Sequence, residues 1–177
     1  MNHRPWVIIV CGSESDLPVM EGAAKACEEF EIPFEVRILS AHRAPALLRE
    51  ALAEWQEHGA RVLIAGAGGA AHLAGTLAAH SILPVIGVPI DSSPLHGLDA
   101  LYATVQMPSG VPVAAMAVGR AGATNAGILA AQIIALSEPA VRKHLQAYKE
   151  GLSEKVRASD SRNRHGTGRA QVTVKKA

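Results

Sequence analysis

The chain has 177 residues, 49% hydrophobic and 19% charged, with a formal net charge of +1; this is the length and balance of one globular domain, and it excludes a disordered polyelectrolyte. Aromatics make up only 3%, so the core must be built from Ala, Val, Ile and Leu, and small side chains of this kind leave apolar surface for neighbouring subunits to cover. The weakly polar stretch 62–79 is mostly Gly and Ala and contains His72, which does not read as a membrane span, and the apolar run before Gly12 is shorter than a signal-peptide core; a cytoplasmic homo-oligomer is expected.

Charge is unevenly spread. Residues 156–177 hold six Arg and Lys against one Asp, so this end carries +5 and the remainder −4. Its Gly, Ser and Thr content without apolar periodicity predicts a flexible basic tail over 157–177 behind one domain over 1–156, with no nucleic acid partner required. Cys11 and Cys27 stand far apart in no C-x-x-C pattern, and are expected to be buried, reduced thiols.

In chain order, the apolar runs 6–11, 33–39, 61–66, 84–89 and 111–118 predict strands, and the intervening amphipathic segments 17–30, 45–58, 70–81 and 98–106 predict helices, with two more over 122–136 and 139–156. Strands separated by helical crossovers pair in parallel. Strands that are apolar almost throughout are covered on both faces, so the expected fold is a three-layer α/β/α sandwich around a parallel five-stranded sheet. In such sheets a ligand binds beyond the carboxyl ends of the strands. The chemically distinctive stretches do follow strands: GSESD (12–16), SAHRAP (40–45), GAGGAAHLAG (66–75) and IDSSPLHG (90–97).

Each stretch carries its own chemistry. The first has one glycine and neither G-x-G-x-x-G nor a Walker lysine, which disfavours nucleotide cofactors of those kinds. Asp16 precedes Leu17 and Pro18, so it either caps the first helix or faces the crevice with Ser13 and accepts sugar hydroxyls; Glu14 is expected to face solvent. In the second, Arg43 offers a planar fork for phosphate, and His42 an imidazole that gives and takes protons near neutrality. In the third, tiny residues allow a ligand close to backbone N–H groups, while His72 is either a packing residue or a ligand contact just inside the third helix. No metal site is predicted, since His72 and His80 lack acidic or Cys partners at helical spacing. Ser92, Ser93, His96, Asp99 and Gln106 are either site walls or solvent-facing caps.

Together with GVPIDSSPLHGLDALYATVQMPSGVPVA (87–114) and GRAGATNAGILAAQIIAL (119–136), these stretches resemble the PurE family of 5-(carboxyamino)imidazole ribonucleotide mutases, in order and spacing, over about 130 residues. The resemblance implies a flavodoxin-like subunit, a homo-octamer with sites completed by neighbours, and an isomerase of purine biosynthesis. That enzyme moves a carboxylate from an exocyclic nitrogen to ring carbon 4 of an aminoimidazole ribonucleotide, without cofactor or metal. It further implies His42 as general acid/base, Ser13, Asp16 and Arg43 as substrate-binding residues, and Ser40, Gly68, Ala70, His72 and Leu73 as further substrate contacts. One departure is Ala74, where the family's H-L-P-G has proline. The competing expectations are a carboxylase of the same ribonucleotide that uses CO2 directly, and a flavodoxin-like binding module, for which the site loops lack stacking aromatics.

Overall fold

Each expected strand and helix has a counterpart, in the expected order, in the computed structural model, which describes residues 5–164. The strands are β1 (Val7–Cys11), β2 (Phe34–Ile38), β3 (Val62–Gly68), β4 (Val85–Ile90) and β5 (Ala114–Ala115). The helices are α1 (Leu17–Glu29), α2 (Pro45–Glu57), α3 (Leu73–Ala79), α4 (Leu98–Val105), α5 (Arg120–Ile134) and α6 (Pro139–Asn163). Pro18, Pro45 and Pro139 stand in the first turns of α1, α2 and α6, where a missing N–H costs no intrahelical bond.

All strand pairs are parallel and the sheet order is β2-β1-β3-β4-β5. This is the flavodoxin-like winding, whose direction reverses between β1 and β3 and leaves a crevice there. Alternation along β1 divides the core into two layers. Val7, Ile9 and Cys11 pack with Met20 of α1, Ala126 and Ala130 of α5 and Leu145 of α6; Ile8 and Val10 pack with Leu48 and Trp55 of α2 and Leu77 of α3. The three-layer expectation therefore holds.

Three elements differ from the sequence expectation by three residues or more at a boundary. β5 is confined to Ala114–Ala115 rather than 111–118, because Pro112 has no N–H for the ladder; beyond it, Met116 N–H and Gly119 N–H still donate to Gly87 O and Pro89 O. α3 starts at Leu73 rather than 70, because tight bonds from Ala71 N–H to Gly69 O and from His72 N–H to Ala70 O precede it. α6 passes the expected boundary at 156 and reaches Asn163. The rest of the expected tail, 165–177, lies outside the described residues.

Small residues bring α1 and α5 into close contact. A Cβ at Gly127 stands 2.6 Å from Ala26 Cβ and 2.8 Å from Ala23 O, nearer than real carbons approach. Gly127→Ala is therefore expected to destabilise the fold by about 1–2 kcal/mol, overpacking outweighing the gain in helix propensity. A lowered urea midpoint with an unchanged slope is the measurement that checks it.

Candidate active site

The carboxyl ends of β1 to β4 open on a cleft of about 310 Å³. From the turn after β1 come Ser13 and Asp16; from the turn after β2, Ser40, His42 and Arg43; from the end of β3, the turn that follows it and the start of α3, Gly68, Ala70 and Leu73. Every residue expected at the site except His72 lines this cleft. Sequence reasoning did not single out Ser15, Ala41 and Ala67, which also line it, and left Ser92 undecided.

Arg43 fastens two of the turns together. Its backbone N–H and Nε donate to Ser40 Oγ at 3.2 and 3.3 Å, and its Nη2 donates to Gly12 O at 2.8 Å. One edge of the guanidinium is thus held by protein acceptors. The remaining donors keep their charge at the exposed cleft wall, which is an anion-binding arrangement.

Asp16 is only 5% exposed. Its Oδ2 accepts the backbone N–H of Ser13 at 3.0 Å, across a single 3₁₀ turn over Glu14–Asp16. Although it occupies the position before α1, it makes no capping bond to that helix. The helix-cap expectation for Asp16 is therefore corrected: the carboxylate turns back to brace the β1 turn, and its other face borders the cleft. Burial raises its pKa above the usual carboxylate value, against the backbone N–H groups of Ser13 and Gly12 and the Arg43 charge, which pull it down. Glu14 is exposed, as expected.

His72 is displaced from its expected place inside α3 to the residue that precedes it. It touches the site through His42: Nε2 of His42 and Nδ1 of His72 are 2.9 Å apart, with the rings edge to face at 5.0 Å. Such a bond holds one proton between two nitrogens. With the proton on His42 Nε2, the neutral ring presents Nδ1 as an acceptor; with it on His72, Nδ1 of neutral His42 is a donor. The pair therefore lets neutral His42 present Nδ1 to the cleft either as an acceptor or as a donor.

The glycine stretch serves the site in two ways. Gly69 takes φ +58°, a left-handed conformation that turns the chain away from β3. At Gly68 a Cβ has no room, because Ser92 Oγ occupies its place. Ala74, the family's proline position, is the second residue of α3 and 3% exposed; alanine satisfies a first-turn position without needing a fixed φ.

The other residues left open by the sequence face outward. His96 and Gln106 are exposed. Asp99 accepts Ala100 N–H at 2.9 Å, and the Ser93 hydroxyl holds its carboxyl below the usual range. Cys11 and Cys27 are unpaired and buried, and burial pushes both thiols up to about 12, so neither is a nucleophile at neutral pH.

Comparison with known proteins bears on this arrangement. A family model described as AIR carboxylase matches residues 6–155. The N5-carboxyaminoimidazole ribonucleotide mutase of Pyrococcus abyssi is 51% identical over 148 residues, covering 84% of this chain and 84% of that protein. That of Haemophilus influenzae is 47% identical over 156 residues, covering 88% and 95%, and that of Thermotoga maritima 51% over 152 residues, covering 86% and 88%. The crystal structure of Treponema denticola PurE matches with a TM-score of 0.84 at 29% identity, covering 92% of this chain and 100% of that one. Since the matched segment contains all five strands and the four turns that build the cleft, the chain belongs to the AIR carboxylase family, the family of the PurE mutases.

Proposed function

We propose that the chain is an N5-carboxyaminoimidazole ribonucleotide mutase, an isomerase of purine biosynthesis that transfers the carboxylate between the exocyclic nitrogen and ring carbon 4. The observation that carries this reading is the convergence of an arginine, a buried carboxylate and a paired imidazole on one cleft in a chain about half identical to proteins named for that activity. Arg43 and Ser40 receive the phosphate, and Ser13 and Asp16 the ribose. Gly68, Ala70 and Leu73 border the heterocycle, and His72 acts through His42. The catalytic domain includes all five strands and α6 as far as Asn163.

A single imidazole balances the protons. His42 donates one proton to the exocyclic nitrogen as the N–C bond breaks and its electron pair stays on nitrogen, giving the free amine and CO2. Ring carbon 4 then attacks CO2, and His42 recovers one proton from that carbon as the new C–C bond forms. Net proton change is zero. Walls of Gly and Ala let the ring and CO2 sit close together, and neighbouring subunits of the proposed oligomer complete the enclosure that keeps CO2 beside the ring between the two steps.

The family model's description favours a second reading, carboxylation of the aminoimidazole ribonucleotide by dissolved CO2. Two parallel assays separate them. The mutase is expected to convert the carbamate substrate without added bicarbonate and to show little turnover of the decarboxylated ribonucleotide with it; the reverse pattern establishes the carboxylase.

The working form is proposed to be a cytoplasmic homo-oligomer, an octamer. Val36 and Ile38 on edge strand β2, and Leu98, Tyr102 and Val105 along one stripe of α4, are exposed apolar side chains suited to subunit contacts. Among the described residues, no helix is long and apolar enough to cross a membrane.

A further inference from the structure

The cleft has a fourth wall to which the mutase reading gives no role. Ser92 lies just beyond β4, whose Ile90 is in register with Gly68 of β3. Its backbone N–H donates to Ile90 O at 3.1 Å, which folds the chain back over the sheet edge. Its hydroxymethyl group then fills the place of the side chain that Gly68 lacks. Glycine at 68 thus makes room for a protein hydroxyl at the cleft wall as well as for a ligand.

The bonding of that hydroxyl separates it from the other serines beside it. Ser13 Oγ and Ser15 Oγ bond each other, and Ser40 Oγ accepts two bonds from Arg43. Ser92 Oγ makes no hydrogen bond among the described residues, although it faces the cleft. An exposed hydroxyl at the cleft wall without a protein partner is a donor available to a ligand.

Strand order tells which part of the ligand it meets. Neighbouring strands lie about 4.8 Å apart, so the order β2-β1-β3-β4 lays Arg43, Asp16, Gly68 and Ser92 in sequence across the cleft. Under the proposed function, phosphate at Arg43 and ribose at Asp16 direct the heterocycle over β3, with its carboxyl-bearing edge towards β4. We propose that Ser92 is a substrate-contacting residue whose Oγ–H donates to an oxygen of the transferred carboxylate, orienting it on ring carbon 4.

The assignment rests on the mutase reading and is tested by ligand discrimination. Calorimetric binding of the 4-carboxy ribonucleotide and of its decarboxylated counterpart is compared in wild type and Ser92→Ala. The expected result is about tenfold or greater weakening for the carboxylated ligand, the size of a lost bond to a charged group, with the decarboxylated ligand unchanged. Equal weakening of both ligands in Ser92→Ala, or no weakening of either, overturns the assignment of Ser92. Failure of the wild-type chain to interconvert the two carboxylated ribonucleotides overturns the mutase reading instead, and is scored separately from binding.

Discussion

His42→Asn is expected to lower turnover in both directions by at least about a thousand-fold while leaving binding of the 4-carboxy ribonucleotide within a few-fold of wild type. General acid–base groups typically contribute factors of about 10²–10⁴, and here one imidazole carries both proton transfers. Its loss removes protonation of the leaving nitrogen as well as removal of the ring proton. Asparagine retains a polar group of similar reach towards His72 Nδ1, which lies 2.9 Å from the present Nε2. The binding determinants are separate from it, since Arg43 is held by Gly12 O and Ser40 Oγ. Steady-state rates with either ribonucleotide, together with calorimetric titration of the product, check both halves of the expectation. Turnover near the wild-type rate removes His42 from the mechanism.

Much of this arrangement is legible in the sequence because one rule places it. Apolar strands alternating with helices specify a parallel sheet, and the crevice rule sends the chemistry to the loops that follow strands. Ser13, Asp16, His42 and Arg43 come to the cleft on that ground, and Ser40, Gly68, Ala70 and Leu73, which the family resemblance implies, join them there. What stays hidden depends on distances between loops. His42 and His72 are 30 residues apart and follow β2 and β3, which flank β1 rather than each other; only the sheet order shows that their side chains meet across the end of β1. The reason for Gly68 is hidden in the same way, since the group that excludes a Cβ there belongs to the β4 turn. β5 is shorter than its sequence implies because VPVAAMAV has strand composition throughout, whereas Pro112 and an edge position limit the ladder to two residues.

Asp16→Asn is expected to weaken ribonucleotide binding by about 10–100-fold and, at neutral pH, to raise the stability of the unliganded protein. The two effects share one cause. A carboxylate 5% exposed has lost water, and burial raises its pKa despite the bonds from Ser13 and Gly12 and the Arg43 charge. A carboxyl whose pKa is higher folded than unfolded binds more protons in the native state, so its contribution to stability falls as pH rises through the window between the two pKa values. Below that window Asp16 is protonated in both states and costs nothing as a charge; above it, the buried charge is a standing penalty. Asparagine keeps an oxygen for Ser13 N–H and removes the penalty, so the stability gap between variant and wild type is expected to widen with increasing pH across the window. In the bound state the sign reverses, because ribose hydroxyls donating to a carboxylate restore part of its lost solvation, and hydrogen bonds to a charged group contribute about 1.5–3 kcal/mol. Thermal or urea unfolding as a function of pH, paired with ribonucleotide titration, reads both. Lower stability with unchanged affinity makes Asp16 a structural brace of the β1 turn; higher stability with weakened affinity makes it a sugar clamp maintained at a cost to the fold.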